Sequence, residues 1–177
     1  MKKIYLAITI FVITILTASA QGQEKVKKRI TYSFGADVGV PTGYVSAYSS
    51  LVAGASLQAE YPVVKSASVT ASVGYLDFVA KRGGKGVSFI PVLLGAKYYI
   101  TPKIYASGQA GLSFYGGRED GNGGGSGEKY FTYVPGIGFR TSKRFDVLFK
   151  YEAVYIASSA RTYSSAGVRI SYNFNLN

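Results

Sequence analysis

From residue 30 onward the chain alternates apolar side chains with small or polar ones. The longest run closes it: Ala166, Val168, Ile170, Tyr172, Phe174 and Leu176 share one parity, and Ser165, Gly167, Arg169, Ser171, Asn173 and Asn175 the other, within Tyr163–Leu176. A period of two is the mark of a strand with one apolar face. A half-buried strand needs about 5–6 residues, whereas one tilted across a bilayer needs about 9–11. This run is long enough to span.

Seven earlier segments repeat the pattern, at Ile30–Val40, Leu51–Tyr61, Ala67–Tyr75, Val87–Ile100, Ile104–Tyr115, Phe131–Arg140 and Phe145–Tyr155. Asp77 falls on the apolar parity beyond the third, so a register slip, or exit of the strand from lipid, is expected there. Pro91 and Pro135 lie inside the fourth and sixth segments and predict bulges, because proline removes a ladder hydrogen bond. In the fourth segment the second face mixes Phe89, Pro91 and Leu93 with Gly95 and Lys97, and is the least regular of the set.

Alternation also fits a soluble barrel with an apolar interior. A water-facing sheet should then carry many lysines and glutamates. Here the polar parity is mostly Gly, Ser, Thr, Ala and Gln, which suits the crowded interior of a narrow eight-stranded barrel with the apolar side chains facing lipid. Tyr32, Tyr61, Tyr75, Tyr98 and Tyr155 near segment ends fit interfacial girdles. Connections also alternate in length. Residues 62–66, 101–103 and 140–144 form short turns, whereas 41–50 and 116–129 are longer, as expected for periplasmic turns and external loops.

Upstream, Lys2 and Lys3, the 13-residue apolar run Ile4–Leu16 and Thr17-Ala18-Ser19-Ala20 read as a secretory signal peptide over residues 1–20. That run is short of the roughly 20 residues a spanning helix needs. Residues 21–29 form a basic tail, placed in the periplasm by an even strand number, and 30–177 the barrel. Removing Lys2 and Lys3 takes the formal charge from +11 to +9. The positive residues are scattered over the tail and connections and form no stripe, which argues against nucleic acid and for anionic lipid or lipopolysaccharide headgroups.

The phrases IPVLLGAKYYI (90–100) and GVRISYNFNL (167–176), with the eight alternating segments and the signal, resemble the small outer-membrane β-barrel family, the porin-superfamily barrels akin to the OmpA and OmpX transmembrane domains. The resemblance implies an all-β, eight-stranded antiparallel up-and-down transmembrane β-barrel in a bacterial outer membrane, inserted by the barrel-assembly machinery. Many such barrels end on an aromatic residue; here Phe174 stands three residues before the end.

Histidine and cysteine are absent, which excludes Ser-His and Cys-His catalysis and zinc sites built on those ligands. Asp146 and Glu152 share a strand face but lie six residues apart, too far for a shared proton. The glycine-rich stretch 120–127 lacks the Gly-Lys-Ser/Thr of a P-loop and the EF-hand pattern. No catalytic, cofactor or metal residues are expected, and what the loops 41–50 and 116–129 bind is not written in them. The informative charges are the lumenal ones: Asp37, Lys150, Glu152 and Arg169 near mid-strand on neighbouring strands, with Glu60, Lys97 and Arg140 nearer the periplasm. Unpaired burial is costly, so an ion-pair network that fills the lumen is expected. Two functions follow, a structural or surface-interaction barrel with a plugged lumen, or a small channel for ions or small solutes.

Overall fold

The computed structural model describes residues 29–81, 86–116, 128–157 and 161–174. The expected signal peptide lies outside them, as does the basic tail apart from Arg29. Eight strands form one closed antiparallel barrel: β1 (Thr31–Thr42), β2 (Ser49–Val64), β3 (Ala67–Ala80), β4 (Val87–Tyr99), β5 (Ile104–Tyr115), β6 (Lys129–Arg140), β7 (Phe145–Ile156) and β8 (Arg161–Phe174). Each pairs with its sequence neighbours, and β8 closes on β1 through Tyr32–Phe174 to Thr42–Ser164. Closure leaves no edge strand, so the described ladders satisfy one another as a spanning sheet requires.

The parity expected from the sequence is the parity of the walls. Phe34, Val38 and Val40 of β1 point outward with Leu57, Val73, Val92, Leu94, Ile137, Phe149 and Ile170 from the other strands. Leu94 is 69% exposed, whereas Asp37, Lys97 and Arg169 are buried inside. An uninterrupted apolar exterior of this size is far beyond the patches soluble monomers tolerate. It belongs in hydrocarbon, and the soluble-barrel reading is excluded by the direction in which the large side chains point.

Several local expectations change. The pairing of β2 with β3 keeps one register from Leu51–Val79 to Pro62–Ser68 and passes Ala53–Asp77 without a slip; the irregularities fall at Ser49/Leu51 and Pro62/Val64, at the two ends. Pro91 makes no bulge. The β4–β5 ladder runs unbroken through Pro91–Ser113, and the β3–β4 register is the same on both sides of a gap opposite Pro91. Pro135 behaves alike, pairing with Gly108 on β5 and leaving a gap towards β7. A missing N–H costs a ladder bond on one side, and here the sheet absorbs the loss without adding a residue. The segment 41–50 is not a free loop either: Pro41 and Thr42 end β1, residues 43–47 form a 3₁₀ turn, and β2 begins at Ser49. Gly43 enters that turn at φ +64°, a conformation that L side chains rarely adopt. Tyr75 sits inside β3 instead of at its end.

The interior is built in two tiers. At the end of the longer connections, Val45 of the 3₁₀ turn packs with Val52, Leu76, Phe78, Phe89 and Val154, and Tyr115, Tyr130 and Tyr163 close around them. The Phe78 and Phe89 rings meet edge to face at 5.9 Å. The sequence reading assigned the lumen small and polar groups throughout. The outer end is instead apolar, which explains why Phe89 blurred the fourth segment.

Candidate functional site: the charged lumen

Below the apolar tier the inward positions carry charge. Lys150 Nζ lies 2.6 Å from Asp37 Oδ1 and 2.7 Å from Glu152 Oε2. Lys150 and Glu152 are two residues apart on β7 and share its inner face, whereas Asp37 reaches them from β1, two strands away. Ser56 Oγ donates to Asp37 Oδ2 at 2.9 Å, and Arg169 Nε donates to Ser56 Oγ at 2.8 Å. Arg169 Nη2 donates to Ser33 Oγ at 3.2 Å. Gly35 makes room for this guanidinium, since a Cβ there would stand 2.6 Å from Arg169 Nε.

A second cluster lies towards the short turns. Glu60 accepts from Lys97 Nζ at 3.0 Å and from Tyr99 Oη at 2.5 Å, while Arg140 Nη2 donates to Tyr99 Oη at 2.5 Å and lies 3.7 Å from Glu60 Oε1. Lys97 also lies 3.8 Å from Asp146 Oδ2, and Tyr105 Oη donates to Asp146 Oδ1 at 2.5 Å. The Lys97 ammonium sits 4.7 Å over the Tyr105 ring, adding a cation–π contact. Gly138 is the space for that ring: a Cβ would fall 1.9 Å from Tyr105 Cζ.

All seven residues singled out in the sequence therefore lie in these two groups, Asp37, Lys150, Glu152 and Arg169 in one and Glu60, Lys97 and Arg140 in the other. Each group holds two carboxylates and two cations, so each is formally neutral. That balance meets the condition under which charge can be buried, each ion having an opposite charge or a hydrogen bond at hand. The reading missed Asp146 as a member, along with Ser56, Tyr99 and Tyr105. The signal was present for three of them. Asp146 shares the face of Lys150 and Glu152, Tyr99 that of Lys97, and Tyr105 is a large ring at one end of a face that continues as Ser107, Gln109, Gly111 and Ser113. Asp146 and Glu152 serve different clusters, so they do not act as a carboxylate pair.

Space beside the upper cluster is small. A cavity of ≈ 30 Å³ touches Asp37, Ser56, Gln109, Lys150, Glu152 and Arg169, room for one or two waters. Gln109 Nε2 completes the polar lining with bonds of 3.3 Å to Thr70 and Ser72 hydroxyls.

No protein-family model and no curated relative match the chain by sequence. Solved structures do. The Yersinia pestis outer membrane protein Ail in a phospholipid nanodisc is similar at 14% identity and TM-score 0.57, over 84% of this chain and 100% of that one. The N-terminal β-barrel domain of Pseudomonas aeruginosa OprF is similar at 14% identity and TM-score 0.54, with the same coverage. Ail in complex with the heparin analogue sucrose octasulfate is similar at 14% identity and TM-score 0.53, over 83% and 97%. These likenesses are of fold. With a closed barrel, a lipid-facing wall and a charged interior, the chain has the fold of the small eight-stranded outer-membrane β-barrels.

Proposed function

We propose that the protein is a non-enzymatic outer-membrane barrel whose lumen is filled by its own side chains and whose role is structural or surface-interacting. The observation that carries this reading is the two-tier closure. The apolar cluster around Phe78 and Phe89 blocks the outer end, and the two neutral ion clusters occupy the interior beneath it. Eight strands leave an interior just wide enough for side chains. The cavity of ≈ 30 Å³ has room for only one or two waters, which supports a filled lumen.

The surface role falls to the outer rim. There Tyr44 and Tyr48 are exposed, Arg161 stacks 4.7 Å over the Tyr44 ring, and Lys81 Nζ donates to the Ser46 carbonyl at 2.7 Å. Aromatic faces beside cations suit sugars that carry phosphate or sulfate, including lipopolysaccharide around the barrel. The complex of Ail with a heparin analogue is a precedent on the same fold. Insertion by the barrel-assembly machinery belongs to the same reading.

Planar-bilayer recording of the refolded protein tests the closed lumen. The expected record has no discrete openings; reproducible unitary currents would establish the channel reading in its place.

A further inference from the structure

The lipid-facing wall is not of even height. On β2 and β3 the outward residues stand in cross-strand rows, Leu57 opposite Val73, Ala59 opposite Ala71 and Tyr61 opposite Val69. The middle row continues to Tyr32 on β1 and to Leu94 on β4. Two alanines are thus enclosed by large side chains on all four sides, and the wall drops there by the difference between a methyl group and a leucine or tyrosine side chain. Two apolar hollows, of ≈ 460 Å³ and ≈ 360 Å³, meet over this floor and share Ala59, Ala71 and Leu94. The first extends towards Leu57, Val73 and the stacked Tyr32–Phe174 pair, the second towards Ile30, Tyr61 and Val69.

The position of the floor decides what fills it. It belongs to the wall that faces hydrocarbon, where filling a hollow displaces no water. The gain is van der Waals packing, which favours an occupant able to reach the alanines. A flexible acyl chain reaches them. A second copy of the barrel is convex and rests on Leu57, Val73 and Leu94 before it touches the floor. The polar end is set as well. Tyr32 is the second residue of β1, and Tyr61 stands three residues before the end of β2, so both lie on the short-turn side of the wall, where headgroups begin. Neither hydroxyl has a hydrogen-bond partner among the described residues. A tyrosine whose ring lines an apolar hollow and whose hydroxyl is unengaged can pack a hydrocarbon chain with one part and bond a headgroup with the other.

We propose that this hollow is a site for one phospholipid of the leaflet on the short-turn side, with an acyl chain over Ala59 and Ala71 and the phosphate at the hydroxyls of Tyr32 and Tyr61. The site lies on the outside of the barrel and stands whether or not the lumen conducts.

The test uses the full mature chain folded in maltoside micelles and titrated with palmitoyl-oleoyl phosphatidylethanolamine, the bound molecules being counted by native mass spectrometry. One lipid is expected to bind saturably. Ala59→Leu/Ala71→Leu raises the floor at outward positions, and saturable binding should be lost. Tyr32→Phe/Tyr61→Phe keeps the rings and should weaken binding about tenfold or more, as loss of a hydrogen bond to a charged group does. Ala36→Leu/Ala110→Leu adds the same bulk to exposed alanines outside the hollow and should leave binding unchanged. The heat-dependent gel shift verifies that each variant is folded. Absence of saturable binding by the wild type, wild-type binding in either hollow variant, or equal loss in the control overturns the proposal. Dimers of the wild type that disappear in Ala59→Leu/Ala71→Leu would overturn it too, by assigning the hollow to a second copy.

Discussion

Asp37 and Arg169 stand directly opposite each other on β1 and β8, yet their side chains communicate through a third residue, Ser56 of β2. The arginine reaches past its own pair to the hydroxyl, and the aspartate is taken up by Lys150 from β7. Ser56 is thus the joint of the upper cluster. Ser56→Ala removes an acceptor from Arg169 Nε and a donor from Asp37 Oδ2 in one step. Unmet buried partners cost about 1–3 kcal/mol. The midpoint of urea unfolding in micelles, read by loss of the heat-dependent gel shift, should fall accordingly, and further than for Ser33→Ala, whose bond to Arg169 is longer.

Lys150→Met should be the most damaging change in the lumen. It leaves Asp37 and Glu152 facing each other without the ammonium that lies within 2.7 Å of both. Breaking a buried pair from one side costs about 3–5 kcal/mol. Adding Glu152→Gln removes one stranded charge, so the double variant should recover part of the loss. If the two substitutions simply add, the cluster is not coupled.

Gly138→Ala tests the packing of the second cluster. The new methyl would overlap the Tyr105 ring, which is anchored to Asp146. Overpacking of this kind costs about 1–3 kcal/mol. In a Tyr105→Ala background the same methyl has space, and the cost of Gly138→Ala should vanish. A double-mutant cycle in unfolding free energy measures the difference.

Depth in the membrane is open to a similar test. Leu94 projects from the middle of β4, whereas Ile100 stands just beyond its end. Arginine on the lipid face costs about 2–4 kcal/mol at the midplane and about 0–1 near an interface. Leu94→Arg should therefore destabilise the protein in vesicles far more than Ile100→Arg. Equal effects would mean that this wall does not face hydrocarbon.

The two tiers predict independence in conductance. Phe78→Ala opens the apolar end and should cost about 3–5 kcal/mol of stability. It leaves the ion clusters in place, so single-channel recordings should stay silent. The combination with Lys150→Met, if it folds, is the variant expected to conduct.

Most of the barrel was legible because a period of two specifies which side of a wall each residue takes, and β1 and β8 follow it residue by residue. The same logic placed Asp37, Lys150, Glu152 and Arg169 inside. It could not say who pairs with whom. That depends on shear, which sets the height of each strand against strands it never touches, and no local pattern encodes shear. Hence Asp146 and Lys97, three strands apart in the barrel order, were not matched. The prolines misled for a different reason. Their missing N–H is a loss on one flank only, and the other flank of Pro91 and of Pro135 holds the register. The apolar outer tier was hidden because Leu76, Phe78 and Phe89 lie where the expected segments were ending.

The ion clusters also bear on how such a molecule comes together. Lys150 to Asp37 joins β7 to β1, Lys97 to Glu60 joins β4 to β2, Lys97 to Asp146 joins β4 to β7, and Arg140 to Glu60 joins β6 to β2. None of these joins hydrogen-bonded neighbours, so no hairpin can form any of them alone. A half-built sheet can already pair Lys150 with Glu152 on β7 and Lys97 with Glu60 across β2 to β4, but Asp37 of β1 meets Lys150 only once the ring has closed. Closure therefore carries an electrostatic term of its own, released when β8 meets β1 and the Lys150 ammonium gains its second carboxylate.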